Sequence, residues 1–105
     1  MVELIKNNLE RIHDVCKQHH VKSLYLFGSA VKQESQYKAE SDVDFLYQFN
    51  KNEIGELEYA DNYFNLLFAL ESLLKRSVDL VPEEKLSNPY FIQRINQDKL
   101  KLYES

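Results

Sequence analysis

Residues 42–49 read DVDFLYQF. A period of two puts Val43, Phe45, Tyr47 and Phe49 on one face of a strand, and Asp42, Asp44, Leu46 and Gln48 on the other. The first face requires a core to cover it. The second carries two carboxylates two residues apart, hence side by side. Like charges that close are unfavourable unless one is protonated or a cation lies between them.

The stretch before it, VKSLYLF (residues 21–27), is a second run of apolar and aromatic residues and reads as a strand. It ends at Gly28, one of only two glycines in the chain. Further upstream, Ile5, Leu9, Ile12 and Cys16 recur at spacings of four, three and four, which predicts a helix over residues 2–19. Ser29 to about Gln36 fits a short helix opening after Gly28, and YKAES (37–41) reads as an exposed loop.

Downstream, NKNE ends the strand, and a long helix is expected from about Ile54 to Lys75. SVDLVP (77–82) is a short strand closed by Pro82, which cannot continue a ladder. Asn88 can cap a helix that has Pro89 at its first position and runs to about Gln97, and LKLY (100–103) can add a last strand. The order α-β-α-β-α-β-α, with a terminal β, predicts an α/β fold: a small mixed β-sheet with helices packed on it.

The whole chain, residues 1–105, fits one domain. No apolar run approaches the roughly 20 residues needed to span a bilayer. The N-terminal MVELIKNNLERI is amphipathic and lacks the apolar stretch of a secretory signal. A net charge of −4 argues against direct binding of a nucleic-acid backbone. It still allows a nucleotide held through metal ions, since cations offset acidic ligands. The single cysteine, Cys16, cannot form an internal disulfide, which points to a reducing, cytoplasmic setting.

Asp79 stands between Val78 and Leu80, so it faces away from the core if those two face it. Aspartate is depleted in strands, and two such departures in one small sheet suggest a site. Asp42, Asp44 and Asp79 can then converge on one or two Mg²⁺ ions, a cation that takes carboxylate oxygens and bridges to substrate phosphates. Read alone, the Asp-x-Asp is a weak signal, and the simpler reading is a strand-start residue at Asp42 with the other acids solvated on an open sheet face. Gly28 lets a group approach the backbone with no Cβ in the way, and Ser29 adds a hydroxyl donor; alone, they are a turn and a helix cap.

Two other clusters need weighing. His13, Cys16, His19 and His20 lie within eight residues, but Cys16 belongs to the apolar stripe and histidine is common at helix ends, so a core and a helix terminus are expected rather than a zinc site. In YFNLLFALESLL (63–74) nine of twelve residues are apolar, more than a one-faced surface helix requires. Helix 54–75 is therefore expected to offer a surface to a partner or to a second copy of the chain, as a homo-oligomer.

LFGSAVKQESQYKAESDVDFLYQF followed by VDLV resembles the minimal nucleotidyltransferases of the DNA polymerase β superfamily, whose hallmark is Gly-Ser, a spacer, Asp-x-Asp and a later single Asp in a strand. More narrowly, it resembles the prokaryotic MNT antitoxins that accompany HEPN-domain ribonuclease toxins. The resemblance implies a polymerase β-like fold and transfer of AMP from ATP, with release of pyrophosphate, to a tyrosine of a HEPN toxin. It implies that Gly28 and Ser29 hold the triphosphate, that Asp42 and Asp44 bind two Mg²⁺ ions, and that Asp79 ligates the catalytic metal and helps activate the attacking hydroxyl. Two alternatives are an antitoxin that acts by binding alone and an enzyme with a small-molecule acceptor. Many members have ten residues between the Ser and the first Asp, whereas this chain has twelve, Ala30 to Ser41. Where the family often has GSRARG, this chain has GSAVKQ.

Overall fold

A computed structural model describes residues 3–31, 42–85 and 88–105. Four strands form one mixed sheet: β1 (Val21–Phe27), β2 (Val43–Phe49), β3 (Val78–Pro82) and β4 (Leu100–Glu104), in the order β3-β2-β1-β4. β1 pairs antiparallel with both β2 and β4, while β2 and β3 run parallel. The expected mixed α/β sheet is thus present, terminal strand included.

The helices are α1 (Glu3–Lys6), α2 (Leu9–Gln18), α3 (Tyr59–Leu74) and α4 (Pro89–Asp98). The expected helix over 2–19 is divided. A turn at Asn7-Asn8 separates α1 from α2, and the Asn8 side-chain amide donates to the Leu4 carbonyl (2.8 Å). Asparagine competes for backbone groups in this way and disfavours a helix interior. The stripe itself is kept: Ile5, Ile12 and Cys16 are fully buried, and Leu9 packs beside them.

The long helix begins later than Ile54. Gly55 is extended, Glu56–Glu58 form a 3₁₀ turn, and only then does α3 start. It ends at Lys75 in the left-handed conformation (φ 56°), whose N–H bonds the Glu71 carbonyl (2.8 Å). Leu66, Leu70 and Leu74, four apart, press into the sheet. α4 begins as expected, with Asn88 Oδ1 accepting from the Tyr90 N–H (2.9 Å).

The two sheet faces differ as the alternation in β2 requires. Val43, Phe45, Tyr47 and Phe49 join Leu24, Leu26, Leu80 and the leucines of α3 in the main core. On the opposite face Leu46 and Phe27 form a second, smaller cluster with Tyr25 and Val81. Asp44 and Asp79 share that second face.

The histidine–cysteine cluster is dispersed. Cys16 is buried in the core, where loss of solvation pushes its thiol up to about 12. His13 Nε2–H donates to the Leu102 carbonyl (2.6 Å), His19 Nδ1–H to the Val15 carbonyl (2.7 Å), and His20 Nδ1 meets Glu53 Oε1 (2.9 Å). Each imidazole has its own structural partner.

Leu70 has no exposed surface. Leu70→Ala should cost about 2–5 kcal/mol of unfolding free energy through lost burial and the cavity left behind. Chemical denaturation of the purified variant against the parent measures it.

Candidate functional site

The site is built where β1 ends and where β2 and β3 begin. Asp42 is the residue before β2, and Asp44 is its second residue. In the parallel register Val43 pairs with Val78, Asp44 with Asp79 and Phe45 with Leu80. Neighbouring strands lie about 4.8 Å apart, so Asp44 and Asp79 are adjacent on the same face. Two hydrogen bonds set this register. The Val43 N–H donates to the Ser77 carbonyl (2.9 Å), and the Val78 N–H donates to Glu71 Oε2 of α3 (3.1 Å). Glu71 thus holds the start of β3 in place. Its contribution is not legible in the sequence, where it reads as one more acid on a helix.

Gly28 closes the site from the β1 side. Phe27 pairs with Asp44 across the antiparallel ladder, and Gly28 follows at once with φ +77°. A Cβ at Gly28 would lie 2.5 Å from Asp44 Oδ2 and 3.4 Å from its carboxyl carbon. The bare Cα therefore makes room for the Asp44 carboxylate itself, which refines the expectation that some bound group comes close there. The left-handed φ adds a second reason for glycine.

The expected helix at Ser29 takes another form: residues Gly28–Val31 make a 3₁₀ turn. The rest of that helix, Lys32 and the loop 37–41 lie outside the described residues, as does the Ser29 side chain.

The electrostatics single out Asp44. It is half-buried, whereas Asp42 and Asp79 are exposed. Burial, then the negative charge of Asp79, then that of Asp42 push its carboxyl up to about 6. Like charges are crowded together at a half-buried position. That is the donor set a hard divalent cation favours: oxygen ligands, excess negative charge and open access. Among the described residues no three His, Cys, Asp or Glu side chains come together as a group that could hold a metal ion, so the expected convergence of Asp42, Asp44 and Asp79 is reached only in the Asp44–Asp79 pair. Mg²⁺ does not require such a group, since it keeps several waters and binds through one or two carboxylates plus substrate phosphates.

A separate cavity of about 590 Å³ lies at the far end of β2, lined by Phe49, Ile54, Tyr59 and the Lys51–Glu84 ion pair (2.6 Å). It is five residues along the strand from Asp44, about 17 Å, and takes no part in the carboxylate site.

Comparison with known proteins agrees with this architecture. Residues 10–105 match the family model described as polymerase beta, nucleotidyltransferase. The chain belongs to the polymerase beta nucleotidyltransferase family, and its class is nucleotidyltransferase. A protein of Methanocaldococcus jannaschii provisionally named a protein adenylyltransferase is 33% identical over 95 residues, covering 90% of each chain. A solved structure described provisionally as a minimal nucleotidyltransferase superposes with a TM-score of 0.73 at 26% identity, covering 93% of this chain and 92% of the other. An MNT antitoxin in complex with a tri-AMPylated HEPN toxin of Shewanella oneidensis shares the fold, with a TM-score of 0.63 at 20% identity over 95% of this chain and 72% of that one.

The raised Asp44 carboxyl has a consequence for stability. In the unfolded chain it titrates near 3.8, in the folded chain near 6. Its protonated form is the one the fold favours, so the associated stability is complete below pH 3.8 and lost as pH rises through about 6. Asp44→Asn should therefore leave the metal-free protein unchanged at pH 3 and stabilise it by about 1–2 kcal/mol at pH 8, a figure reduced for partial solvent screening. Thermal melts across pH in the presence of a chelator test this. Gly28→Ala should destabilise at every pH, because the new methyl group collides with the carboxylate whatever its charge.

Proposed function

We propose that this chain is a single Mg²⁺-dependent nucleotidyltransferase domain that transfers AMP from ATP to a tyrosine hydroxyl of a HEPN-domain ribonuclease toxin, and so acts as its antitoxin. The observation that carries the reading is the parallel register that sets Asp44 beside Asp79, with Asp42 two residues away and Gly28 against the Asp44 carboxylate. The protein adenylyltransferase name of the archaeal relative and the AMPylated toxin bound to the Shewanella antitoxin support the choice of acceptor class. Nothing in the described residues is long and apolar enough to cross a membrane, which is compatible with a cytoplasmic partner.

The chemistry is an in-line exchange at the α-phosphorus of ATP. The tyrosine oxygen forms the new P–O bond, the bond to the α–β bridging oxygen breaks, and pyrophosphate leaves with that oxygen. The tyrosine proton passes toward Asp79, the exposed carboxylate of β3. Two Mg²⁺ ions, when bound, neutralise the triphosphate and stabilise the entering and leaving oxygens. Asp42 and Asp44 would hold both ions and Asp79 one of them. Gly28 and Ser29, at the end of β1, would lie along the triphosphate. Asp44 must be ionised to bind a cation, so its raised carboxyl predicts metal affinity that falls as pH drops below about 6.

The test is a mass measurement. The purified chain, ATP and Mg²⁺ are incubated with a HEPN-domain protein from the same genome. The HEPN protein should gain one or more AMP units, placed on tyrosine by fragmentation. Asp42→Ala, Asp44→Ala and Asp79→Ala should each lower the rate by at least about 10³-fold with the fold retained by circular dichroism. Full transfer by a folded Asp44→Ala protein overturns the catalytic assignment. A stable complex with no mass gain assigns neutralisation to binding alone.

A further inference from the structure

The outer face of α3 carries two half-exposed phenylalanines that lie outside the buried core. Phe64 is 49% exposed and Phe68 is 60% exposed. One helical turn apart, they stack on each other with ring centroids 6.1 Å apart and planes 28° apart. Leu57, on the turn before the helix, is 98% exposed. Leu66, Leu70 and Leu74 hold the helix to the sheet, so the phenylalanines are not needed for that contact.

The charges around this pair are ordered. Glu56, Glu58 and Asp61 lie at the N-terminal end, and Lys75 and Arg76 just past the C-terminal end. Among the described residues none of the five has an ion-pair partner. One arrangement satisfies both the apolar and the charged features: the same helix of a second copy, laid antiparallel across a two-fold axis midway between Phe64 and Phe68. Phe64 then meets the copy's Phe68. At a rise of 1.5 Å per residue, Glu58 is about 12 Å from the axis on one side and Lys75 about 13.5 Å on the other. Glu58 of each helix therefore lies near the height of Lys75 of its copy and Glu56 near that of Arg76, while Asp61 lies level with the copy's Glu71, whose carboxylate is turned to the Val78 N–H. A parallel pairing would set acid against acid. An isologous contact of this kind closes at two subunits.

We infer that the outer face of α3 is a self-association surface, and that the chain forms an antiparallel two-fold dimer through Phe64 and Phe68, with Glu56 and Glu58 paired to Lys75 and Arg76 of the second copy. The inference does not rest on the proposed transfer reaction. A single helix pair covers less than the roughly 1,200 Å² of a standard interface, so the dimer is weak.

Sedimentation equilibrium of the purified chain alone, from micromolar to millimolar concentration, tests it. A monomer–dimer equilibrium is expected, weakened about tenfold or more by Phe64→Ser with Phe68→Ser. These sites are exposed, so circular dichroism should show the fold retained. Lys75→Glu should weaken the dimer, and adding Glu58→Lys in the same chain should restore it, because each reversed acid then faces a reversed base. Added salt should weaken the parent dimer. A monomer at every concentration overturns the inference, as does a dimer indifferent to the phenylalanine substitutions. A chain that stays monomeric alone but loses a HEPN partner when Phe64 and Phe68 are changed assigns the face to that partner and also overturns it.

Discussion

Asp44 is held between two unlike neighbours. On the β1 side stands Gly28, which gives its carboxylate space; on the β3 side stands Asp79, which adds a negative charge. The rest of the molecule serves this crowding. α3 and the apolar face of β2 supply the burial that keeps the sheet rigid, and Glu71 holds the start of β3 so that Asp79 cannot slide away. Like charges crowded in this way are relieved by a bound cation, the role proposed above for Mg²⁺.

The same economy explains why this small acidic chain can act on a nucleotide. On the proposed reading the triphosphate is held through metal ions on carboxylates, with the end of β1 alongside. The departures from the family's Gly-Ser motif fit this division. GSAVKQ lacks the arginine and second glycine often seen there, but the residue that the geometry makes indispensable, Gly28, is kept.

Much of this was legible in DVDFLYQF and VDLV. Strict alternation sorts side chains to two faces whatever the strands' neighbours are, so the core residues of β2 and the shared face of Asp42 and Asp44 follow from a local rule. The small mixed sheet followed from the order of elements, and the start of α4 from the chemistry of Asn88 and Pro89. Local rules failed where local competition decides the outcome. Asn8 bonds back to Leu4 and interrupts the first helix, and Gly55 with the 3₁₀ turn delays α3 by about a turn. The histidines near Cys16 kept to the local rule: Cys16 lies in the core with its stripe, and each imidazole turns to a different partner.

The sequence by itself determined which face each residue of a strand occupies, because side-chain direction is fixed by backbone periodicity within a few residues. It also determined the excess of acid on one face of β2. Only the tertiary structure decided that β3 lies beside β2 in parallel, in the register that places Asp79 against Asp44, and that Gly28 exists to clear the Asp44 carboxylate. Those facts depend on hydrogen bonds between residues far apart in the chain, such as Val43 to Ser77, and on the packing of α3 that brings the two strands together. Strand pairing is a contest among all available edges and registers, and no short stretch carries its outcome.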